Sequence, residues 1–314
     1  MTYTIKIKEE ISNIKSNESE TIAELSAFIR NNGHITKDKI TLTSENLFLI
    51  KRIAEEIEDL YDTSIKEKVI ENLNFSKKKL HQLSIENNID KICKDLGITD
   101  NDGNYLEVVP KYIIGANEEI RSYLRGVFFA TGSINDPKKS RYHMELLIQQ
   151  PEEAVFVQKL LNLFDLNAKI LARDKGYMIY IKEAEKISDF IKILGANNAV
   201  LYYENVRIYR DQKNKTNRLN NCEQANMDRV FETANIQLKH IAIIEENDGL
   251  TLLDEKTRQT VEYRKKYPEA SLKELSEIMS LETGKSITKS GLNHRMRKIK
   301  DLATRFKNRK TTKV

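Results

Sequence analysis

Between Lys285 and Val314 the chain carries eleven lysines or arginines and a single acid, Asp301, against a net charge of only +5 for all 314 residues. A basic block on a near-neutral body is the electrostatic footprint of a polyanion-binding element. The residue types refine this to double-stranded DNA. Asparagine can pair with adenine, and arginine with guanine, at base edges in the major groove. Asn293, and Arg295 or Arg297, have the chemistry to read bases. Lys298, Lys300, Arg305 and Lys307 are suited to phosphates, which give affinity without sequence information. His294 reads as a further contact or a solvent-facing residue, since no acid or nucleophile is patterned around it. The same charges could instead form a solvated tail or meet a protein partner.

A helix must carry these groups. Leu292, Met296, Ile299, Ala303 and Phe306 step by four, three, four and three, which is one apolar stripe at helical period. Ser290 is the expected N-cap. Upstream, Ser271 with Glu274 forms a capping box, opening a helix with Leu272, Leu275, Ile278 and Met279 on one side. Pro268 separates it from a helix over roughly 254–267 that buries Val261. Three short helices, the last basic, predict a helix-turn-helix module over 251–314. Its turn, 280–288, reads as longer than usual.

A second cationic segment, Leu201 to Asn226, interleaves Tyr202, Tyr203 and Tyr209 with Arg207, Arg210, Lys213, Lys215 and Arg218. Aromatics among cations can stack on bases or clamp a backbone. An ordinary helix with buried tyrosines and solvated cations fits equally. The polar run Asn217 to Asn226 reads as a connection; the helical pattern resumes over 227–245, with Val230, Ala234, Leu238, Ile241 and Ile244 inward, giving a linker helix assigned to 219–250.

Catalytic chemistry has little to stand on. The five histidines are scattered without metal-ligand spacing, so no metal site and no cofactor are expected. Cys93 and Cys222 read as reduced thiols of a cytoplasmic protein. Apolar runs are too short to span a membrane, and residues 1–11 lack the apolar core of a signal peptide.

The first two-thirds of the chain repeats itself. Leu25-Ser-Ala-Phe-Ile-Arg-Asn-Asn-Gly33 returns 99 residues later as Leu124-Arg-Gly-Val-Phe-Phe-Ala-Thr-Gly132. Small residues, Ala27 and Gly126, would let two such helices approach closely. The closing glycines suit a left-handed helix end. An alternating segment follows each copy (35–43 and 142–149), then a helix with Phe48 and Ile53 or with Phe156 and Leu160. Both units close alike, at Gly97 and Gly195, although 135–143 is an insertion that a shorter later stretch must offset. A self-match that keeps its offset predicts duplication, with repeats at about 21–97 and 122–196 of a domain over 1–218.

The nine-residue motif resembles the central helix of the LAGLIDADG homing endonucleases. In that family the eighth residue is an acid, and the pair of acids holds divalent metals. Here the eighth positions are Asn32 and Thr131, and the sixth are Arg30 and Phe129. Neutral side chains cannot replace two carboxylates at hard cations. The scaffold reads as kept and the cleavage as lost, leaving no catalytic residue. Tyr123 to Pro137, Asn217-Arg-Leu-Asn-Asn-Cys-Glu223, Ser271-Leu-Lys-Glu-Leu275 and Lys289-Ser-Gly-Leu-Asn-His-Arg295 together resemble the WhiA family of bacterial regulators. That resemblance implies an α+β fold: a duplicated, degenerate LAGLIDADG-like domain followed by an all-α helix-turn-helix domain. It also implies a non-enzymatic, nucleoid-associated DNA-binding protein of cell division and chromosome segregation, regulating transcription and, in spore formers, sporulation. Protein partners in the division or transcription machinery would fit. A residual site-specific endonuclease and a protein-interaction scaffold are the alternatives.

Overall fold

The computed structural model describes residues 1–71, 79–139 and 141–311. The chain divides into two compact units, residues 1–211 and 212–314.

The first unit opens with α1 (Tyr3–Ile11) and then presents one arrangement twice. Repeat one is α2 (Glu18–Asn32), β1 (His34–Ile35), β2 (Ile40–Ser44), α3 (Leu47–Tyr61), β3 (Ile65–Glu71), β4 (Lys79–Ile85) and α4 (Ile89–Asp95). Repeat two is α5 (Asn117–Thr131), β5 (Gly132–Ile134), β6 (Met144–Ile148), α6 (Pro151–Leu163), β7 (Lys169–Arg173), β8 (Gly176–Ile181) and α7 (Ala184–Leu194). The two four-stranded antiparallel sheets share one order, β1-β2-β4-β3 and β5-β6-β8-β7. The insertion at 135–143 is the connection between β5 and β6. The compensating shortening lies between β7 and β8, which join through residues 174–175. The alternating segment at 35–43 is not one strand but two, β1 and β2, with a turn between them.

Alternation buries one face of each sheet: Ile40, Leu42, Leu83 and Ile85 in the first, Met144, Leu146, Ile148, Ile179 and Ile181 in the second. These meet Leu25, Phe28 and Ile29 of α2 and Leu124, Val127 and Phe128 of α5 in one core. Each such side chain, fully buried, contributes about 1.5–3 kcal/mol.

The motif helices α2 and α5 pack against each other through their small residues. A Cβ built on Gly126 would lie 2.9 Å from Ala27 Cβ and 2.2 Å from the Glu24 carbonyl oxygen. The close approach expected from Ala27 and Gly126 is therefore present. The expected left-handed ends are not. Gly33 and Gly132 have φ of −76° and −77°, in the extended region. Glycine is required there for space: a Cβ would come within 2.5 Å of the Ile29 carbonyl oxygen at one and 2.1 Å of the Phe128 ring at the other. The unit-closing glycines, Gly97 and Gly195, are the left-handed ones, at φ +60° and +86°.

Beside Gly126, the buried Glu24 carboxylate accepts from Arg52 Nε at 2.9 Å and from Arg125 Nε. Arg52 also pairs with Glu56 and donates to the carbonyls of Ser12 and Ile14. Arg125 donates to Ser122 Oγ and Ser16 Oγ. This network joins α2, α3 and α5.

The expected polar connection at 217–226 is helical. A single helix, α8, runs Asn197–Glu245, beginning before and ending earlier than the linker helix expected over 219–250. Local amide and charge content does not break a helix that lacks Gly and Pro; Asn costs it only tenths of a kcal/mol per residue. The second unit adds α9 (Glu255–Lys266), α10 (Leu272–Thr283) and α11 (Lys289–Thr311). Its own core is Ile241 and Ile244 of α8, Leu253, Val261, Leu275, Met279, Leu292, Met296, Ile299 and Ala303.

Candidate nucleic-acid interface

The basic helix α11 is held by its stripe. Leu292, Met296, Ile299 and Ala303 are buried and Phe306 packs against them, as the spacing requires. The preceding turn is shorter than the sequence suggests. Ser280 stays helical by donating to the Ser276 carbonyl, and α10 continues to Thr283, where Gly284 at φ +66° ends it. The turn is then 284–288, fastened by Ile287 N–H donating to Ser280 Oγ. At the other end of α10, Ser271 and Glu274 exchange both bonds of the expected capping box.

The N-cap of α11 is Thr288, not Ser290. Thr288 Oγ1 accepts from Gly291 N–H at 3.1 Å, and Ser290 lies inside the first turn, exposed. The cap must precede the first helical residue, and the helix starts at Lys289.

Asn293, His294, Arg297, Lys298, Lys300, Arg305 and Lys307 are all exposed. Asn293, Arg297 and Lys300 recur at four and three, so they share one face. Among the described residues no carboxylate pairs with Arg297, Lys300 or Arg305. Lys298 differs: its Nζ lies 2.9 Å from Asp254, the N-cap of α9. That hydrogen bond, with those from Thr257, holds the Asp254 carboxyl well below the usual carboxylate range. Burial, and then the charges of Lys300 and Lys307, hold the His240 imidazole of α8 below its ordinary value.

Arg295 leaves the set of base-reading candidates. Its guanidinium donates to Lys256 O at 3.2 Å and Thr260 Oγ1 at 3.1 Å, both on α9, and it is half-buried. It sits on the flank of α11 that faces α9, so its donors serve packing.

Arg207 and Arg210 belong to the first unit and are engaged there. Arg207 makes a forked pair with Glu204 at 2.8–2.9 Å and a second pair with Glu185 at 3.0 Å. Arg210 donates to the Pro137 carbonyl and lies over the Tyr142 ring, 5.1 Å from its centroid. The segment is helical; of its three tyrosines only Tyr203 is buried, at 1% exposed, while Tyr202 and Tyr209 are exposed.

At the ends of the motif helices the eighth-position side chains are bonded to backbone groups, of β2 in one copy and of the helix itself in the other. Asn32 Oδ1 accepts from Thr43 N–H at 2.9 Å and its Nδ2 donates to Thr43 O at 3.0 Å. Thr131 Oγ1 donates to Val127 O at 3.2 Å. The sixth-position Arg30 is buried, donating to Gly97 O and Leu106 O, with Glu153 at 3.9 Å. Burial pushes the Glu153 carboxyl up, against the pull of its bond from Tyr123. Among the described residues no group of three or more His, Cys, Asp or Glu could hold a metal ion. Both cysteines are free thiols.

Other cations of the second unit escape a reading that counts charge only near the C-terminus. Arg229 and Lys273 lie outside the basic block, and Lys289 lies within it without a base- or phosphate-contacting role assigned from sequence. Their signal is spatial, since they come from three different helices.

A duplicated α/β unit built on paired small-residue helices, followed by a helix-turn-helix, defines a LAGLIDADG-like scaffold joined to a helical DNA-binding type of module. Three domain families match in the same order: the WhiA N-terminal LAGLIDADG-like domain at residues 18–99, the WhiA LAGLIDADG-like domain at 120–213 and the WhiA C-terminal HTH domain at 216–303. The chain belongs to the WhiA family. It is 38% identical over 98% of its length to a probable cell division protein WhiA of Enterococcus faecalis, covering 99% of that protein. It is 37% identical to that of Bacillus cereus, covering 98% of each. Among solved structures, full-length DUF199/WhiA from Thermatoga maritima shares the fold, with a TM-score of 0.58 at 23% identity over 98% of this chain and 99% of that one. No helix among the described residues is long and apolar enough to cross a membrane.

Proposed function

We propose that the protein is a non-enzymatic regulator that binds double-stranded DNA through α11, within a domain organisation of 1–218, a linking helical stretch and 251–314. The observation that carries this is the exposed face of Asn293, Arg297 and Lys300, held on a buried stripe and with no carboxylate partner among the described residues. Asn293 and Arg297 read base edges; Lys300, Arg305 and Lys307 meet phosphates; Ser290 and His294 lie beside them. Lys298 joins them only by releasing Asp254, an exposed surface pair that water and salt screen. The names of the two relatives motivate a role in cell division. Chromosome segregation, transcription control with sporulation in spore formers, protein partners in those machineries and a cytoplasmic, nucleoid-associated location rest on family resemblance. Loss of cleavage is supported by Asn32 and Thr131, whose side chains are spent on Thr43 and Val127.

The test is titration of the full chain with a preferred duplex, selected from a random pool, and with random duplex at several salt concentrations. Asn293→Ala and Arg297→Ala should each weaken the preferred site by about 1–3 kcal/mol more than the random one. Equal losses on both would reject base reading by this face. Incubation with supercoiled DNA in magnesium or manganese should leave it intact; reproducible cutting abolished by Asn32→Ala would restore the endonuclease reading.

A further inference from the structure

Within the second unit, α8, the α9–α10 turn and the start of α11 line an open pocket of about 260 Å³. Four cations from four helices line it: Arg229 of α8, Arg264 of α9, Lys273 of α10 and Lys289 of α11. No carboxylate lines it. Arg264 is 1% exposed, yet it has no acidic partner among the described residues. Its Nη1 donates to the Ala270 and Tyr267 carbonyls, and its buried Nε has no hydrogen-bond partner. A buried guanidinium answered only by carbonyl dipoles leaves a positive potential in the space it borders.

The backbone adds to that potential. Of the N–H groups at the start of α10, those of Ser271, Glu274 and Leu275 are satisfied by the capping box and the first helical bond. Those of Leu272 and Lys273, both lining residues, have no partner among the described residues. Free N–H groups at a helix N-terminus accept anions, and the macrodipole favours negative charge there. Glu274, which closes the cap, is not among the lining residues.

We propose that this pocket binds a phosphate group, seated on the Leu272 and Lys273 N–H groups, flanked by Lys273, Lys289 and Arg229 and backed by the charge of Arg264. Donors converging from α8, α10 and α11 can reach several oxygens of one phosphate group, and charge-assisted hydrogen bonds of this kind are the strong ones. The phosphate comes either from a DNA backbone, where it would fix the register of α11, or from a free phosphorylated small molecule. The first source rests on the function proposed above; the pocket itself does not.

The test uses the full chain, with inorganic phosphate as probe. Thermal unfolding is followed at matched ionic strength in phosphate and in chloride, for the parent and for a Lys273→Gln/Lys289→Gln variant. Both lysines are exposed, so the fold survives their loss. Phosphate should raise the melting temperature of the parent with saturation, as ligand linkage requires, and leave the variant unmoved. Equal responses in the two proteins, or none in either, would overturn the proposal. Titration with duplex then separates the sources. A salt slope reduced by about one unit, with the ratio of preferred to random affinity kept, identifies a backbone phosphate. An unchanged slope beside a lost phosphate response identifies the free ligand. If Asn293→Ala and Arg297→Ala erase no sequence preference while the phosphate response persists, the proposed function fails and the pocket stands.

Discussion

Gly126→Ala adds one methyl group where α5 meets α2. Its Cβ would lie 2.2 Å from the Glu24 carbonyl oxygen and 2.9 Å from Ala27 Cβ. Alanine is the better helix former by about 1 kcal/mol, so on an exposed helix the change would stabilise. Here the obstacle is backbone, which cannot rotate away, and α2 is pinned at that point by Glu24 to Arg52 and Arg125. The helices must part or the ion network must stretch. Overpacking of this kind costs about 1–3 kcal/mol; taking the upper end for a backbone obstacle leaves a net loss of roughly 2 kcal/mol after the gain in propensity. For a unit of 211 residues that is a fall in Tm of about 4–8 °C, read by circular dichroism or calorimetry. Gly291→Ala is the control, because its Cβ would meet Thr288 Oγ1 at an ordinary 3.4 Å, and it should hold or raise the Tm of the second unit. A Gly126→Ala protein that melts at or above the parent would refute the close-packing argument.

Thr288→Ala should cost about 0.5–2 kcal/mol through loss of the α11 cap, whereas Ser290→Ala should change the stability of the second unit within about 0.5 kcal/mol; chemical denaturation distinguishes them. Arg295→Ala should destabilise that unit by freeing α11 from α9, while Arg297→Ala, exposed and unpaired, should leave Tm unchanged and weaken only DNA binding. The Glu56 carboxyl is pushed up to about 8, first by burial and then by the charge of Glu24. A raised folded value means its contribution is fully present below the unfolded carboxylate range and is lost as pH rises toward 8. Unfolding free energies between pH 5 and 8 should therefore fall less steeply in Glu56→Gln than in the parent, and parallel curves would exclude this residue as the cause.

Much of the architecture is legible because periodicity reports burial. The stripe Leu292 to Phe306, the capping box at Ser271 and the repeated motif each have a local cause and appear as the spacing requires. What escapes reading is decided by neighbours distant in sequence. The β7–β8 hairpin is hidden because β7 is an edge strand that is mostly exposed, so its residues show little alternation. Arg295 and Arg297 are two apart and so point to different sides of α11; both sides are polar in sequence, and only the position of α9 shows which guanidinium packs and which is exposed. By residue type Ser290 is the better cap than Thr288, and the choice is made instead where the turn closes on Ser280. Gly33 announces a glycine but not its reason, since crowding by the Ile29 carbonyl and a left-handed φ select the same residue.

Asn32 has consequences for the routes open to this chain through sequence change. Aspartate has nearly its shape, and one substitution would return an acid to the eighth position. That acid would lose the donor that Thr43 O now accepts from and set a negative oxygen against that carbonyl, 3.0 Å away in the present geometry. The first step back toward a metal-holding carboxylate would thus weaken the junction of α2 with β2 before any second acid existed to share an ion. A position bonded into the scaffold in this way acts as a ratchet: neutrality has become part of how the chain folds, and reversal has to cross a less stable intermediate.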